Sequence, residues 1–343
     1  MVYRVAVNGF GRIGRCVVRS AVERGMLNGD MEIVAINDLW PPSILAPLLS
    51  NDSTYGRFHL PVGAEAEALV VGDRRIPVFA EADPAELPWK ELEVDLVIES
   101  TGRLRKRDDA AGHLRAGARK VLLSAPGKGV DATVVLGVSA DQATLPSFEI
   151  VSAGSCTTNC AAPMADVLDR SFGVEHGALT TVHAYTNDQV LLDTAHKDPR
   201  RARAGALNIV PTSTGAAKAL GDVLPQLAGK FSGIALRVPV ENGSLTVLTV
   251  KLARAVTVDE VNGAFREAAQ GRLSGIVQCS DQPIVSRDVI GDPSSCILDC
   301  PLTQADGDLV TVYGWYDNEW GYTNRLLDLT ELYAGAELAA AGR

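Results

Sequence analysis

The first half of the chain alternates short apolar runs with segments of helical periodicity. The apolar runs, typical of buried strands, are Tyr3–Asn8, Met31–Asn37, 94–100 and 121–124. Residues 11–25 and 108–118 have helical periodicity, and 70–78 predicts a hairpin around Gly72-Asp73. Because strands that alternate with helices form βαβ units, this half predicts an α/β domain with a parallel sheet.

The second half has a different pattern, with long strand-like stretches and few helices. The predicted strands are 178–184, 233–240, Ser244–Leu252 and Leu309–Tyr316, and the predicted helices are 156–170 and Val258–Gln270. This pattern indicates an α+β domain with a largely antiparallel sheet. A last helix at 323–338 has an apolar face, which we expect to pack back on the first domain. We therefore expect one domain at 1–155 with 321–343, and a second at 156–320.

The composition is that of an ordinary globular protein. The 343 residues are 46% hydrophobic and 22% charged, which excludes disorder, collagen and a coiled coil. No apolar run reaches the ~18 uncharged residues of a membrane span, and the N-terminal sequence lacks a secretory pattern. The net charge of −10 argues against nucleic-acid binding. We expect neither a membrane nor a nucleic-acid partner.

The chain contains six cysteines. They lie at positions 16, 156, 160, 279, 296 and 300. A disulfide framework is typical of short secreted chains, so we expect reduced thiols and a cytoplasmic protein. Structural zinc requires paired C-x2-C spacings, which are absent from this sequence, and no metal site is predicted.

A glycine-rich turn joins the first strand to the first helix. Gly9, Gly11 and Gly14 form a G-x-G-x-x-G pattern in the strand–turn–helix context that dinucleotide binding requires. The first two glycines let the backbone approach a pyrophosphate, and the third allows close helix–strand packing. The N–H groups at the helix start then face the phosphates. The turn, with Arg12 and Ile13 inside it, predicts a Rossmann-type cofactor site.

An acidic residue follows the second strand. Asp38 lies 24 residues after Gly14, where a carboxylate accepts hydrogen bonds from the adenosine ribose hydroxyls and repels a 2′-phosphate. We therefore predict NAD rather than NADP as the cofactor. The alternative is a glycine turn followed by an exposed aspartate with no cofactor role. Ser124, at the end of a later predicted strand, is counted with the cofactor-binding residues.

Cys156 lies where a strand gives way to a helix. In the first turn of a helix, unpaired N–H groups and the helix dipole stabilise a thiolate, and the same groups can hold an oxyanion. Cys160, one turn further along, is expected to be a packing residue. A thiolate nucleophile needs a base, and His183, which ends a strand and begins a polar run, is the best candidate. A structural role for His183 is the alternative.

The other four histidines are weaker candidates. His59, His113 and His176 have no reactive residue beside them, and His196 begins a basic cluster over 196–203. In an acidic chain this cluster is either an anion site or a salt-bridge patch at the surface or between subunits.

Six segments resemble the phosphorylating glyceraldehyde-3-phosphate dehydrogenase family, in order and along essentially the whole chain. They are 8–15, 155–160, 183–189, 209–218, 236–239 and 315–325. The resemblance implies that Cys156 attacks the aldehyde to give a thiohemiacetal while His183 takes the thiol proton. Hydride transfer to the nicotinamide would leave a thioester, and inorganic phosphate would release 1,3-bisphosphoglycerate.

The resemblance also implies roles for other residues. Asn318 would fix the nicotinamide amide and Tyr322 would pack on its ring. The substrate and phosphate contacts would be Ser155, Thr157, Thr186, Arg200, Thr214, Gly215 and Arg237. Arg237 and Thr186 would hold the substrate's own phosphate, and Arg201 is the alternative to Arg200 at the second anion. Family members are usually homotetramers, so a homotetramer is expected.

The sequence departs from the family pattern at positions that carry no chemistry. These are Asn51, Ala153, Glu241, Gly243 and Val247. They could alter subunit contacts or substrate tolerance. Small residues at Thr194-Ala195, near the expected adenosine ribose, would leave room for some NADP use, although Asp38 argues against it.

Two other functions stay open at this point. Erythrose-4-phosphate dehydrogenase uses the same cysteine chemistry with water in place of phosphate, but it usually lacks the Tyr-Thr pair found at 185–186. A non-catalytic NAD-binding paralogue is the other, although it would not need Cys156 and His183.

Overall fold

The computed structural model describes residues 2–29, 31–139 and 145–341. The chain divides into two compact units. One contains Met1–Val134, Ala140–Gly154 and Thr323–Arg343, and the other contains Val135–Ser139 and Ser155–Tyr322.

The first unit is built on a nine-stranded sheet. The strands of the whole unit, in chain order, are β1 (Tyr3–Asn8), β2 (Met31–Asn37), β3 (Asn51–Asp52), β4 (Gly56–Arg57), β5 (Val62–Glu65), β6 (Ala68–Val71), β7 (Arg74–Phe79), β8 (Leu96–Glu99), β9 (Lys120–Leu123), β10 (Ala132–Thr133) and β11 (Ile150–Ser152). The sheet order is β10-β11-β9-β8-β1-β2-β7-β6-β5, and β3 pairs separately with β4. Every pair from β10 to β7 is parallel. The predicted parallel-sheet, Rossmann-type domain is therefore confirmed.

Helices and the predicted hairpin also belong to this unit. The helices are α1 (Arg12–Glu23), α2 (Pro42–Ser50) and α3 (Arg107–Arg115), with short 3-10 turns at Met26–Asn28, Pro84–Glu86 and Leu145–Ser147. The predicted hairpin is present, since β6 and β7 pair antiparallel across Gly72, which adopts a φ of +62°. The central strands β1, β8 and β9 are almost wholly buried because both faces of the sheet are covered.

A buried polar network ties the ends of three neighbouring strands together. Asn8 Nδ2 donates to Glu99 Oε2 (2.5 Å), and Asn37 Nδ2 donates to Asn8 Oδ1 (2.7 Å). His113 Nε2 lies 3.1 Å from Glu99 Oε2, and its Nδ1 accepts from Trp89 Nε1 (2.9 Å). The expectation that His113 has no reactive neighbour is wrong, because the sheet brings Glu99 to it from 14 positions away.

The second unit is built on a mixed eight-stranded sheet. Its strands are β12 (Val174–Ala184), β13 (Val210–Ser213), β14 (Phe231–Val238), β15 (Ser244–Leu252), β16 (Val277–Ser280), β17 (Cys296–Asp299), β18 (Gln304–Asp306) and β19 (Leu309–Tyr316). The order is β13-β14-β12-β15-β19-β17-β16, with β18 beside β19. The β12/β14 and β16/β17 pairs are parallel and the others are antiparallel. The largely antiparallel sheet is confirmed.

One face of this sheet is covered by helices. They are α4 (Cys156–Phe172), α5 (Ala216–Val223) and α6 (Val258–Gln270), with 3-10 turns at Pro225–Leu227, Ser286–Val289 and Cys300–Leu302. Cys160 is fully buried in this core, as predicted. Gly314 on β19 lies so close to α4 that a side chain there would come within 2.6 Å of Met164 Sδ. Helix α4 is thus fixed tightly against the sheet.

The last helix, α7 (Trp320–Ala341), begins three residues earlier than predicted. Asp317 explains this start, because its Oδ1 accepts the N–H groups of Glu319 (2.9 Å) and Trp320 (2.8 Å). Within the first unit, Ser20 Oγ donates to Asn324 on this helix at 3.2 Å.

Candidate active site

The glycine turn after β1 leaves open space where a phosphate is expected. Gly9 has a φ of +91°, and a Cβ there would lie 2.5 Å from Thr101 N; a Cβ at Gly14 would lie 2.2 Å from Gly9 O. Both positions therefore require glycine for the fold itself. A Cβ at Gly11 would meet nothing within 4 Å. Gly11 is also the N-cap of α1 and has no side chain to cap that helix, so this helix start is suited to an anion.

Asp38 follows β2 and is held by the backbone of the glycine turn. Its Oδ2 accepts the N–H of Phe10 (2.7 Å) and its Oδ1 accepts the N–H of Trp40 (3.1 Å). The carboxylate is half-buried. Each oxygen keeps a lone pair for a further donor, such as a ribose hydroxyl.

Arg12, Ile13 and Ser124, also predicted to bind the cofactor, lie in the first unit. Arg12 pairs with Asp52, and its guanidinium lies 5.7 Å from the centre of the Tyr55 ring. Ser124 follows β9, and its N–H donates to Glu99 O (2.9 Å). Ile13 is half-buried in the first turn of α1. Their contacts to a cofactor stay predictions.

We predict that Gly11→Ala weakens NAD binding at least about tenfold with little effect on folding. The new methyl group meets no protein atom, and an N-cap Gly→Ala change alters stability by less than about 1 kcal/mol. Gly9→Ala is the matched control, because its strained backbone and its contact with Thr101 should destabilise the fold by about 1–3 kcal/mol. Thermal unfolding and NAD titration of both variants would check this. Unchanged NAD affinity in Gly11→Ala would contradict it.

Cys156 and His183 face each other in the second unit. Cys156 is the first residue of α4, whose N-cap Ser155 accepts the N–H of Thr158 (3.0 Å). His183 lies near the end of β12. The distance from Cys156 Sγ to His183 Nε2 is 3.3 Å, within reach of an S–H hydrogen bond. The two side chains, 27 positions apart, thus form a nucleophile–base pair.

The electrostatics of this pair favour its neutral form. Burial, together with the charges of Arg237 and Arg201, lowers the pKa of His183 to about 3. Burial raises the pKa of the Cys156 thiol, although Arg237 and hydrogen bonds from Thr157 act in the opposite direction. The hydrogen bonds at the helix start thus favour the thiolate, as expected, but the effect of burial on the pKa of Cys156 is larger. Desolvation outweighs the helix N-terminus, and the pair is a thiol beside a neutral imidazole.

Because the pKa of Cys156 is raised, its alkylation by iodoacetamide should keep accelerating above pH 9. Only the thiolate reacts, and below the pKa its fraction rises about tenfold per pH unit. The measurement is the alkylation rate between pH 6 and 10, with Cys156→Ser subtracted to remove the signal of the other thiols. A rate that reaches its plateau below pH 8 would contradict a raised pKa.

Tyr316 supports both members of the pair. Its hydroxyl lies 2.9 Å from Thr157 Oγ1 on α4 and 2.9 Å from Thr181 Oγ1 on β12. Its ring packs edge-on against His183, with the ring centres 6.1 Å apart. Tyr316 and Thr181 carry no signal in the sequence that predicts this role. Thr157, predicted among the substrate contacts, is buried with its hydroxyl directed at Tyr316.

A second series of hydrogen bonds positions Asn318. The N–H of Ala184 donates to Ser244 Oγ (3.1 Å), which donates to Asn318 Oδ1 (2.8 Å). This bond fixes the carbonyl end of the Asn318 amide and turns its nitrogen away from Ser244. Tyr322 is buried in the first turn of α7. Ser244 was missed by the sequence analysis, because no spacing connects it with Asn318.

Arg237 reaches the catalytic pair from the neighbouring strand β14. In the register of β12 and β14, Arg237 lies opposite His183. Its Nη1 is 2.8 Å from His183 Nδ1 and 3.0 Å from Ala184 O. The structure therefore brings one predicted anion ligand directly against the predicted base.

Arg201 acts electrostatically on His183 and Arg237. Arg201 Nε donates to Thr212 Oγ1 (3.0 Å) and its Nη1 pairs with Asp188. Its charge also contributes to the lowered pKa of His183. Arg200 is exposed, in a shallow cleft with Ser213. Of the two alternatives for the second anion, Arg201 has the closer electrostatic connection to the pair.

The remaining predicted anion contacts lie at the starts of helices and in a loop. Gly215 is the exposed N-cap of α5, where Thr214 Oγ1 accepts the N–H of Ala216 (3.2 Å). Ser155 caps α4 beside Cys156. Thr186 is half-buried, and its carbonyl accepts the N–H of Gln189 (2.8 Å). The described contacts do not join Thr186, Thr214 or Gly215 to Cys156 or His183, and their roles stay predictions.

Two residues that depart from the family pattern lie against the same segment of the chain, 286–287. Glu241 forms an ion pair with Arg287. Gly243 has a φ of +85°, and a Cβ there would lie 2.3 Å from Ser286 O. A side chain at 243 is thus excluded by conformation and by contact. The turn leads directly into Ser244, which holds Asn318.

A Rossmann-type unit with an open glycine turn, joined to a unit with a cysteine–histidine pair, defines a dinucleotide-dependent oxidoreductase. Residues 3–107 match the family model of the glyceraldehyde 3-phosphate dehydrogenase NAD binding domain, and residues 155–318 match that of its C-terminal domain. The chain belongs to the glyceraldehyde 3-phosphate dehydrogenase family. The predictions of the family, of an oxidoreductase and of NAD as cofactor are confirmed.

Relatives from three bacteria are similar along nearly their whole length. Glyceraldehyde-3-phosphate dehydrogenase 2 of Streptomyces avermitilis is 53% identical over 339 residues, which cover 98% of this chain and 100% of the relative. The enzyme of Kitasatospora aureofaciens is 54% identical over 331 residues (96% and 99%). That of Mycobacterium tuberculosis is 54% identical over 337 residues (97% and 98%).

The part of the chain that the structure describes lacks two further types of feature. None of their helices is both long and apolar enough to cross a membrane. Residues 2–29, 31–139 and 145–341 also contain no group of three or more His, Cys, Asp or Glu side chains placed to hold a metal ion.

Proposed function

We propose that this protein oxidises D-glyceraldehyde 3-phosphate with NAD and inorganic phosphate, giving 1,3-bisphosphoglycerate and NADH. The observation that carries the proposal is the Cys156–His183 pair, with Sγ and Nε2 3.3 Å apart at the start of α4. A thiol beside a neutral imidazole suits covalent attack on an aldehyde, because the imidazole can take the thiol proton as the C–S bond forms.

The chemistry of the chain's own residues follows from this pair. Cys156 Sγ bonds to the aldehyde carbon, and His183 passes the thiol proton to the oxygen, giving a thiohemiacetal. His183 then takes that hydroxyl proton back as the carbon is oxidised to a thioester. Bound NAD supplies the hydride acceptor. Attack of phosphate on the thioester carbon breaks the C–S bond and returns the electron pair to the sulfur of Cys156. The backbone N–H groups at the start of α4 can stabilise the oxyanions.

The cofactor and anion contacts are part of the same proposal. Gly9, Gly11, Gly14 and Asp38 would hold the adenosine and pyrophosphate part of NAD, and Asn318 would hold the nicotinamide amide. Arg237 and Thr186 would bind the substrate's phosphate. The second group of anion contacts would be Ser155, Thr214, Gly215 and Arg200, with Arg201 as the better-placed alternative to Arg200. The open space at Gly11 supports the fit of a dinucleotide.

The proposal also covers the roles of the two domains, the oligomeric state and the cellular location. We propose that 1–155 with 321–343 carry the cofactor function and 156–320 the catalytic function. A cytoplasmic homotetramer is the proposed state, and the six free cysteines are compatible with a reducing compartment.

Asp38→Asn should raise the KM for NAD about tenfold or more and lower that for NADP. A hydrogen bond to a charged group contributes about 1.5–3 kcal/mol, and the amide no longer repels a 2′-phosphate. Asn keeps an oxygen for the Phe10 N–H, so the glycine turn should stay intact. Steady-state kinetics with both cofactors would check this, with Asp73→Asn in the exposed hairpin as the control. Unchanged preference for NAD would contradict the assigned role of Asp38.

The decisive test is NADH formation from glyceraldehyde 3-phosphate and NAD, with and without inorganic phosphate. Fast turnover that depends on phosphate is expected, and erythrose 4-phosphate should be the poorer substrate. Turnover that is indifferent to phosphate and faster with the four-carbon sugar would overturn the proposal.

A further inference from the structure

Two cysteines of the second unit lie side by side at one edge of its sheet. Cys279 is on the edge strand β16, in register with Leu298 of the parallel strand β17. Cys300 comes directly after β17, two positions beyond Leu298, and residues two apart on a strand share one face. The 3-10 turn that begins at Cys300 packs against β16. The two thiols therefore meet, and they hydrogen-bond to each other.

Helix α6 places a positive charge beside this thiol pair. Arg266 on α6 forms an ion pair with Asp281 (Nη2 to Oδ1, 2.6 Å), and its charge acts on both thiols. The hydrogen bond from Cys279 and the charge of Arg266 lower the pKa of the Cys300 thiol, although burial and nearby carboxylates act in the opposite direction. The same hydrogen bond, together with burial, raises the pKa of Cys279. The pair thus favours a thiolate at Cys300 and a thiol at Cys279.

The pair is accessible from solvent through Cys279. Cys279 is half-buried, whereas Cys300 is only 3% exposed. A second pair in the same unit, Cys160 and Cys296, is also joined by a hydrogen bond, but both of its thiols are fully buried. A small solute can therefore reach the first pair without unfolding of the chain, and the second pair provides a comparison within the same molecule.

We propose that Cys279 and Cys300 form a redox site that is oxidised by hydroperoxides and closes a reversible disulfide. A thiolate beside a second, resolving thiol is the arrangement typical of cysteines that respond to peroxide. Each thiol pair of this unit joins positions that are distant in sequence, so the spacing of the cysteines does not reveal it. The site uses neither Cys156 nor His183, and it is therefore independent of the proposed aldehyde chemistry.

The oxidation takes place in two steps. The sulfur of the Cys300 thiolate attacks one oxygen of hydrogen peroxide, so that an S–O bond forms as the O–O bond breaks, and the leaving hydroxide takes a proton from solvent. The sulfur of Cys279 then attacks the sulfur of this sulfenic acid. The S–S bond forms as the S–O bond breaks, and the leaving hydroxide takes the thiol proton of Cys279. The two sulfurs have then lost two electrons, which reduce one peroxide to two waters, and a dithiol reverses the change by thiol–disulfide exchange.

The test is peptide mapping of the full-length protein after peroxide treatment. The reduced protein is treated at neutral pH with a small molar excess of hydrogen peroxide, and the remaining thiols are then alkylated with iodoacetamide in urea. Digestion with trypsin and with a protease that cleaves before aspartate places Cys279, Cys296 and Cys300 in different peptides. We expect a Cys279–Cys300 disulfide in most chains, to the same extent in the parent and in Cys156→Ser, and its loss after treatment with dithiothreitol.

Single substitutions test the role of each group. Cys279→Ser should leave a sulfenic acid at Cys300 that dimedone traps, whereas Cys300→Ser should leave Cys279 as an alkylated thiol. Arg266→Met should slow disulfide formation severalfold at neutral pH, because the thiolate fraction of Cys300 falls. Arg254→Met, which changes an exposed arginine just before the same helix, should behave like the parent.

The buried pair Cys160 and Cys296 is the internal control, and both of its thiols should be recovered in alkylated form. Recovery of Cys279 and Cys300 as alkylated thiols from the folded, peroxide-treated parent would overturn the proposal. Oxidation of the buried pair to the same extent would overturn it as well, because it would show that the disulfide forms in unfolded chains. Since the parent protein alone decides between these outcomes, a variant that fails to fold does not affect the test.

Discussion

Cys156→Ser is expected to lower the rate of NADH formation by a factor of at least about 10⁴. A serine hydroxyl is far less acidic than a thiol, and a neutral imidazole is too weak a base to activate it in this site. The hydroxyl oxygen also forms no thioester, so the acyl group cannot be passed to phosphate as the mechanism requires. The measurement is the NADH burst and the steady-state rate with saturating substrate, NAD and phosphate.

Cys279→Ser is the matched control, since Cys279 is another half-buried thiol of the same unit. It should keep the activity of the parent, and both variants should retain cooperative thermal unfolding. A Cys156→Ser protein with more than a tenth of parental activity would exclude covalent catalysis through this residue.

His183→Asn should lower the rate of the acylation step by about 10²–10⁴, the range typical of a lost general base. Asparagine occupies a similar volume but cannot accept the thiol proton of Cys156. The effect should fall on kcat and kcat/KM together, because proton transfer is needed only after the aldehyde binds. Stopped-flow measurement of the NADH burst would isolate this step.

The control for the base is His176→Asn, which changes an exposed histidine on the same strand, β12. It should leave the burst rate unaltered. Equal losses in the two variants would point to a disturbed strand and would remove the evidence for a base.

The cofactor half of the protein could be predicted from sequence because its signals are local. The strand, the three glycines and the following helix are contiguous, and Gly9 and Gly14 have a conformational or steric reason visible in the fold. Asp38 was predicted from its spacing alone, and the structure places its carboxylate against the glycine turn. The parallel sheet followed from alternating periodicities, which depend on neighbouring residues only.

The catalytic half needed the family resemblance, because its contacts join distant positions. His183 could be selected from sequence only as the best of five histidines, with a structural role still open. Tyr316 and Ser244 gave no signal, since each acts through partners between 60 and 159 positions away. The net direction of the Cys156 pKa could not be predicted from sequence for a related reason. A helix start is a local feature, whereas the burial that raises the pKa of Cys156 comes from the whole surrounding unit.

The turn at 241–243 limits how this enzyme can be recombined with its relatives. Glu241 is paired with Arg287, and Gly243 leaves no room for a side chain beside Ser286. A chimaera that imports a relative's version of this turn, with a side chain at 243, would collide with the resident backbone at Ser286 unless that segment is exchanged as well. Glu241 and Arg287 are 46 positions apart in sequence, yet the two segments should be inherited and engineered as a single block.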